Sequence, residues 1–402
     1  YPAFYLSSMP SGRSLSNTHK SSRTDILVRR SLVVFQFIIS ITVVIVILFM
    51  GDQIEFLRNK NLGFKKENVV SIDIRDDTVK SMIPALLDEL RSHPDIISVS
   101  VAHSKPGKEA SAALYEFEIS GGMKAHNFYH FWVSYDYLKT LGIELIKGRS
   151  FDKGYPTDLS KAVIVNEKLV QAMGWDHPIG KRVSRRLPDK TIFSGEVIGV
   201  VKDFNFRSLN NEIEPMFIRM QQNIGGSLIV RFNGANTVKV MDLLENKWKA
   251  VSSGRSFVYS FLDEEFDRLY DADRQQNQLI TIFSYICILI SCLGLLGLSS
   301  FNTARRTKEI AIRKAYGASS SVIITMLLKE VFWLVTAASA IAAPIAIILI
   351  KVWLQNFAYR TDVDILIFVV TAIMALIIAF LTTSYHCRRV ASANPVDSLR
   401  YE

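Results

Sequence analysis

Residues able to do chemistry are sparse in this chain, and their spacing excludes the common catalytic sets. Of seven histidines, only His126 and His130 fall four apart. The intervening Phe128 points to a strand, where that spacing still puts both rings on one face. No H-E-x-x-H, G-x-S-x-G or cysteine cluster accompanies them, so a surface pair is the simpler reading than a metal site. No G-x-x-x-x-G-K-[ST] phosphate loop occurs either. The KDFNF run at 202–206 puts Phe204 and Phe206 on one side of a strand, as core or as a candidate partner surface. The densest functional spacing lies at 303–321 (TARRTKEIAIRKAYGASSS). Glu309 stands four residues after Arg305 and four before Arg313, so both can pair with it on one helical face. Ile310, Ile312, Ala315 and Tyr316 supply apolar surface, and Gly317 is a C-terminal stop. A short helix of this kind suits docking onto a cytoplasmic partner or anchoring on lipid headgroups, and composition alone slightly favours the anchor, because Arg and Lys would be present either way.

The elements around this segment are membrane spans. Near-continuous apolar runs occupy 31–51, 277–302, 322–350 and 365–386. About 20 such residues at roughly 1.5 Å rise cross the hydrocarbon core. Their apolar stretches carry almost no ionisable groups; Lys329 and Glu330 sit near the start of the third, and Pro344 is its expected kink. Ion-coupled transporters need such groups near the midplane, so a secondary transporter is disfavoured. Gly294 and Gly297 read as packing positions in the second span.

Charge sets the orientation. The net charge of +9 resides entirely outside 52–275, where basic and acidic residues are equal in number. Arg23, Arg29 and Arg30 precede the first span, Arg305, Arg306, Lys308, Arg313 and Lys314 follow the second, and Arg388 and Arg389 follow the fourth. Four spans put all three clusters on one side, which the positive-inside rule makes cytoplasmic. The 52–275 region is then extracytoplasmic, and its neutrality disfavours nucleic acid as a partner. It holds none of the three cysteines, so it needs no disulfide.

Val/Ile/aromatic runs at 69–74, 96–102, 115–119, 128–133, 162–165, 195–201 and 227–232 predict strands, with helices at 82–92, 166–173 and 237–251. The fold class is an α-helical membrane protein, one span plus three, with a large α+β extracytoplasmic domain of mixed sheet. The first span is expected to continue as a helix towards Gly63, and 262–278 to run unbroken into the second, so that both edges of the domain form a helical stalk. The remaining segments are a cytoplasmic linker at 1–30, a short extracytoplasmic loop at 351–364 and a cytoplasmic tail at 387–402. Tyr1, Ser8, Ser14 and Leu15 align without gaps to Tyr385, Ser392, Ser398 and Leu399. That likeness suggests that 1–30 includes the tail of a preceding unit of a duplicated protein.

RRTKEIAIRKAYGAS resembles the signature loop of the FtsX-like permease family, the membrane subunits of MacB-type ABC systems. GFKKENVVSI, KGRSF, AVIVNEKLVQAMGW, PIGKRV, GEVIGVVKDFNFRSL, FAYRTDVD and ASANPVDSLRYE are similar to further family motifs, in the family's order over nearly all of 29–402. The resemblance implies a permease without its own ATPase, in the bacterial inner membrane with its large domain in the periplasm. ATP and Mg would sit on a separate cytoplasmic ABC ATPase, with no cofactor or metal on this chain. It implies a coupling segment at Arg306, Glu309, Ile310, Ile312, Arg313, Lys314, Gly317 and Ala318, through which ATP-driven motion reaches the outer domain. Export or efflux is the leading function implied; the alternative is a regulatory subunit that switches a cell-wall hydrolase or senses a peptide. Further partners implied are a second permease half or copy, membrane lipid, and an extracytoplasmic adaptor or outer-membrane channel.

Overall fold

The computed structural model describes residues 23–391 apart from 75–76, 109, 187–190, 222–223, 253, 307–308, 311 and 314–315. The chain divides into two compact units. The first holds the residues up to Asp52, Gln275–Leu354 and those from Asp362 onwards; the second holds Gln53–Arg274 and Gln355–Thr361.

Among the described residues, four long helices build the first unit: α1 (Arg23–Asn59, which also contributes to the second), α8 (Asp271–Arg305), α9 (Ser320–Leu354) and α10 (Ile365–Ala391). Each contains a segment long and apolar enough to cross a membrane. Its interior is narrow. Val33, Phe37, Ile41, Ile45 and Phe49 recur every fourth residue on α1, facing Val335, Ala338, Ala342 and Ala346 of α9. The alanines let the backbones approach, close enough for the Thr42 hydroxyl to reach the Ala342 carbonyl at 3.5 Å. Ser40 and Ser291 share a hydrogen bond of 2.9 Å between α1 and α8. Gly294 of α8 makes room for the Gln36 amide, whose oxygen would lie 2.3 Å from an added Cβ, whereas nothing approaches Gly297. Meanwhile Leu279, Ile282, Phe283, Ile286, Leu289 and Leu293 point outward. Apolar side chains outside and a small-residue seam inside are what a lipid solvent favours.

The described residues of the second unit form eleven strands in one continuous sheet. In chain order they are β1 (Val69–Ile74), β2 (Ile96–Ala102), β3 (Ser111–Ile119), β4 (Gly122–Val133), β5 (Leu145–Gly148), β6 (Ala162–Asn166), β7 (Arg182–Arg186), β8 (Ile192–Val201), β9 (Met216–Met220), β10 (Gly226–Phe232) and β11 (Tyr259–Phe261). Four of them, ordered β11-β1-β10-β2, form an antiparallel layer. Its apolar face is covered by α2 (Asp77–Arg91) and α6 (Thr237–Val251), with Leu86, Leu90, Leu244 and Trp248 on Val99, Val101 and Val230. Its other face carries the buried Ser98, whose hydroxyl bonds Thr140 of the short α3 (Tyr137–Leu141) at 2.9 Å.

The long β4 joins this layer to a ring. From β4 the order runs β3, β7, β8, β6 and β9, and β9 pairs parallel with β4, which closes six strands into a barrel. Period-two alternation fills its interior with Tyr115, Phe117, Val163, Val165, Val183, Val197 and Phe217. Among the flanking helices, α4 (Asp158–Lys161) starts on the buried Asp158, which takes both Arg149 guanidinium nitrogens at 2.6 and 2.8 Å. The helix α5 (Glu167–Met173) is capped by Asn166, whose carbonyl oxygen accepts from the Leu169 and Met216 amides.

Two expectations need correction. The 262–278 stretch is not one helix: α7 (Leu262–Arg268) ends, and α8 begins at Asp271. Leu269 and Tyr270 bond back three residues rather than four, and the buried Tyr270 hydroxyl accepts from the Leu209 amide at 3.1 Å. A tertiary bond at that point outweighs helix propensity, and no Gly or Pro signals it. The KDFNF run is not a strand but the loop after β8, and it presents no partner surface. Phe204 and Phe206 are fully buried, against Phe64 and Phe131 respectively. Gly63, at φ +82, lets that loop approach: an added Cβ would meet the Asp203 carbonyl oxygen at 2.7 Å.

Candidate coupling site

The segment between α8 and α9 is held at three points. At its start the Arg306 amide bonds the carbonyls of Asn302 and Thr303, continuing the turn of α8, and its own carbonyl accepts from Ile310 at 2.8 Å. In its middle Ile310 is 4% exposed and packs against Ile323 and Leu327 of α9. At its end the Ala318 amide reaches back to Arg313 at 2.9 Å while Gly317 takes φ +86. That is a helix terminus using the left-handed conformation glycine adopts without a Cβ penalty.

Those anchors decide what is left outside. Residues 309, 310, 312 and 313 are helical. Ile312 is 52% and Tyr316 89% exposed, two large apolar side chains that the fold does not cover. Beside them Arg313 pairs with Glu309 at 2.8 Å, the i,i+4 pair the spacing predicts, and its other side reaches Met326 Sδ at 3.3 Å. The side chain of Arg305, the other expected partner of Glu309, and all of Lys314 lie outside the described residues. Ile310 is corrected from a docking contact to an anchor, since its side chain is spent on α9.

Glu330 is the residue that the spacing argument missed. It lies three turns into α9 and collects a salt bridge from Arg30 of α1, one from Arg306 at 3.5 Å, and a hydrogen bond from Asn302 at 3.2 Å. Arg29 lies over the Phe301 ring at 3.9 Å on the same side. One carboxylate thus ties together the start of α1, the end of α8 and the segment that follows it. A lone carboxylate in an apolar helix is costly without a basic partner. The sequence signal was therefore present, in Glu330 facing a need for one of the arginines outside the spans.

A second set of contacts organises the other end of α1, within the second unit. The amide of Gln53, fully buried, donates to the Tyr359 carbonyl and accepts from the Thr361 amide, both at 2.8 Å. The Ala358 amide bonds the Asn210 carbonyl at 3.2 Å, and Lys60 lies 4.3 Å from the Tyr359 ring centre. Arg58 pairs with Asp267 of α7 at 2.8 Å. The segment Gln355–Thr361 between α9 and α10 is therefore clamped by residues of α1 and of the loop after β8. Nearby, Lys105 is buried and donates to Ser71, Ser260 and Glu265, joining α7 to the sheet.

Among the described residues no group of histidine, cysteine and carboxylate side chains could hold a metal ion. His126 lies at the partly exposed end of β4 stacked on Phe128, whereas His130 is buried against Phe217. Burial, and then the charges of Arg185, Arg219 and His103, push the His130 pKa down to about 4.

Similarity to known proteins runs the length of the chain. The model for the MacB-like periplasmic core domain matches residues 32–247, and that for the FtsX-like permease C-terminal region matches 281–395. The macrolide export ATP-binding/permease protein MacB of Acinetobacter baylyi is 22% identical over 398 residues, covering 93% of this chain and 57% of the relative. That of Rhodopseudomonas palustris is 23% identical, covering 75% of this chain and 47% of the relative. The chain spans about half the length of the curated relatives it matches. Among solved structures, the periplasmic region of MacB from Actinobacillus actinomycetemcomitans is 15% identical with a TM-score of 0.36, over 52% of this chain and 94% of that one. The extracellular domain of the noncanonic ABC-type transporter YknZ from Gram-positive bacteria is 14% identical with a TM-score of 0.32, over 48% of this chain and 98% of that one. With one family model over more than half of its length and the second following in order, the chain belongs to the FtsX-like permeases that carry a MacB-like periplasmic core domain.

Proposed function

We propose that this chain is the permease subunit of an ABC-type export system in the bacterial inner membrane, moved by a separate cytoplasmic ATPase docked on its 303–321 segment. The observation that carries the reading is the division of labour within that segment. Ile310 is spent on α9, while Ile312 and Tyr316 stay outside beside the Glu309–Arg313 pair. Anionic headgroups would repel the Glu309 carboxylate that stands beside the two uncovered apolar side chains, whereas a protein surface can complement both. Glu330 then passes displacement of the segment to α1, and the ends of α1 and α8 act as the stalk of the periplasmic domain. The relatives whose names include both ATP-binding and permease functions support the pairing with an ATPase. ATP and Mg would be bound by that ATPase; these 402 residues hold no phosphate-loop motif.

The test is co-purification of the full-length protein from its native membranes, comparing wild type with the double variant Ile312→Ser, Tyr316→Ala. An ABC ATPase that accompanies wild type and is lost from the variant supports docking on this face. Retention by the variant overturns the docking site, and no ATPase with wild type overturns the ATP-driven reading.

A further inference from the structure

The closed barrel of the second unit carries two arginines with no carboxylate partner among the described residues. In β7 the inward-facing Val183 is followed two residues later by Arg185, and in β9 the inward-facing Phe217 by Arg219. Both guanidinium groups therefore sit on the inner side, towards the end where β7 turns back into β8. They converge on one atom: the Tyr115 hydroxyl accepts from Arg185 at 3.4 Å and from Arg219 at 3.2 Å. Arg219 lies over the Phe193 ring, 3.5 Å from its centre, and Arg185 lies 4.9 Å from that of Tyr115. The ring contacts hold each guanidinium over an aromatic face.

Three other arginines of this unit are matched by carboxylates. Arg149 has Asp158, Arg182 has Glu118 and Arg207 has Glu214. Among the described residues, neither Arg185 nor Arg219 has a carboxylate, and Arg219 Nε is buried without a partner. His130, 5% exposed and 5.9 Å from the Tyr115 ring, has its Nδ1 buried without a partner as well. Trp132 completes an aromatic wall beside it, 5.2 Å from the His130 ring. Two cations held on one hydroxyl repel each other, and an interior with unanswered donors costs stability unless something answers them.

We propose that this end of the barrel is an oxyanion-binding site, which takes one carboxylate or phosphate group of a ligand between Arg185 and Arg219. Both arginines are partly exposed, so the group enters from solvent. Planar forks favour bidentate hydrogen bonding to such a group, and the aromatic wall accommodates an apolar body attached to it. The site is independent of the coupling segment and stands or falls without it.

Equilibrium dialysis of the full-length protein in nanodiscs tests this, with radiolabelled phosphate and separately with radiolabelled acetate. Three proteins are compared: wild type, the double variant Arg185→Gln, Arg219→Gln, and Arg186→Gln. The last removes one charge from the same strand at an exposed position on its other side. Wild type is expected to bind about one anion per chain saturably, with affinity reduced about tenfold or more in the double variant and kept in Arg186→Gln. Whichever anion saturates at lower concentration identifies the group the site prefers. If neither saturates, or if all three proteins bind alike, the site is refuted. Should the double variant fail to fold, Arg185→Gln alone is read in the same way, and unchanged binding there refutes the site too.

Discussion

At the residue scale, His130 links the packing of the barrel to pH. Its folded pKa of about 4 lies below the ordinary histidine value near 6.5. Between those values the unfolded chain binds a proton that the folded chain refuses, so stability rises with pH across the window. The contribution is complete above about pH 6.5, falls as the pH drops, and is lost by about pH 4, on the order of 3 kcal/mol in all. His130→Phe keeps a ring against Phe217 and removes the proton site. We expect the thermal midpoint of the variant to fall less than that of wild type between pH 7 and pH 5; equal falls would place the acid sensitivity elsewhere. The histidine pair that spacing placed on one face shares a strand, but burial separates the two, and only the inner one matters to the core. Spacing gives a face; depth along a barrel strand depends on which strands close around it.

At the element scale, Glu330 binds helices that are far apart in sequence. Its carboxylate, largely buried, answers Arg30 of α1 and Arg306 of the segment after α8. Removing the acid leaves two cations facing each other in a poorly hydrated place, costing about 3–5 kcal/mol for a fully buried pair and less here. A cycle of Glu330→Ala, Arg30→Ala and their combination, read as thermal midpoints in one detergent, should show strong coupling, with the double variant more stable than the sum of the singles implies. Additive effects would mean the contact carries no energy. The helices themselves were legible: apolar runs, basic flanks and the 237–251 helix follow from periodicity alone. Strands β5, β7, β9 and β11 were not. RVSRR lacks β-branched residues apart from Val183, and it is a strand because β3 and β8 lie on either side of it. The break at Leu269 and Tyr270 was hidden for the same reason, since the Tyr270 hydroxyl answers an amide sixty-one positions away.

At the scale of the whole molecule, the connection between α9 and α10 is structured. Gln53 holds Gln355–Thr361 by two hydrogen bonds from a fully buried side chain. Gln53→Ala removes both, and at roughly 1 kcal/mol each the segment should open about tenfold or more often. Hydrogen exchange followed by mass spectrometry on the full-length protein is expected to show faster exchange at 358–361, with strands β1 and β10 unchanged. Unchanged exchange at 358–361 would show that the clamp rests on Ala358 and Asn210 instead. What the sequence by itself determined is the set of properties that each segment carries alone. These are four spans, the neutrality of the large region between the first two, the i,i+4 pair at Glu309 and Arg313, and the glycine stop at Gly317. What only the tertiary structure decided is which of those side chains remain available. Ile310 reads as surface and is buried, Phe204 reads as either and is buried, Ile312 and Tyr316 stay outside, and Arg185 and Arg219 meet on Tyr115. The physical reason is that apolar periodicity and charge are summed over neighbours in sequence. Burial and pairing are instead summed over neighbours in space, and ring closure through β4 and β9 brings those together from across the chain.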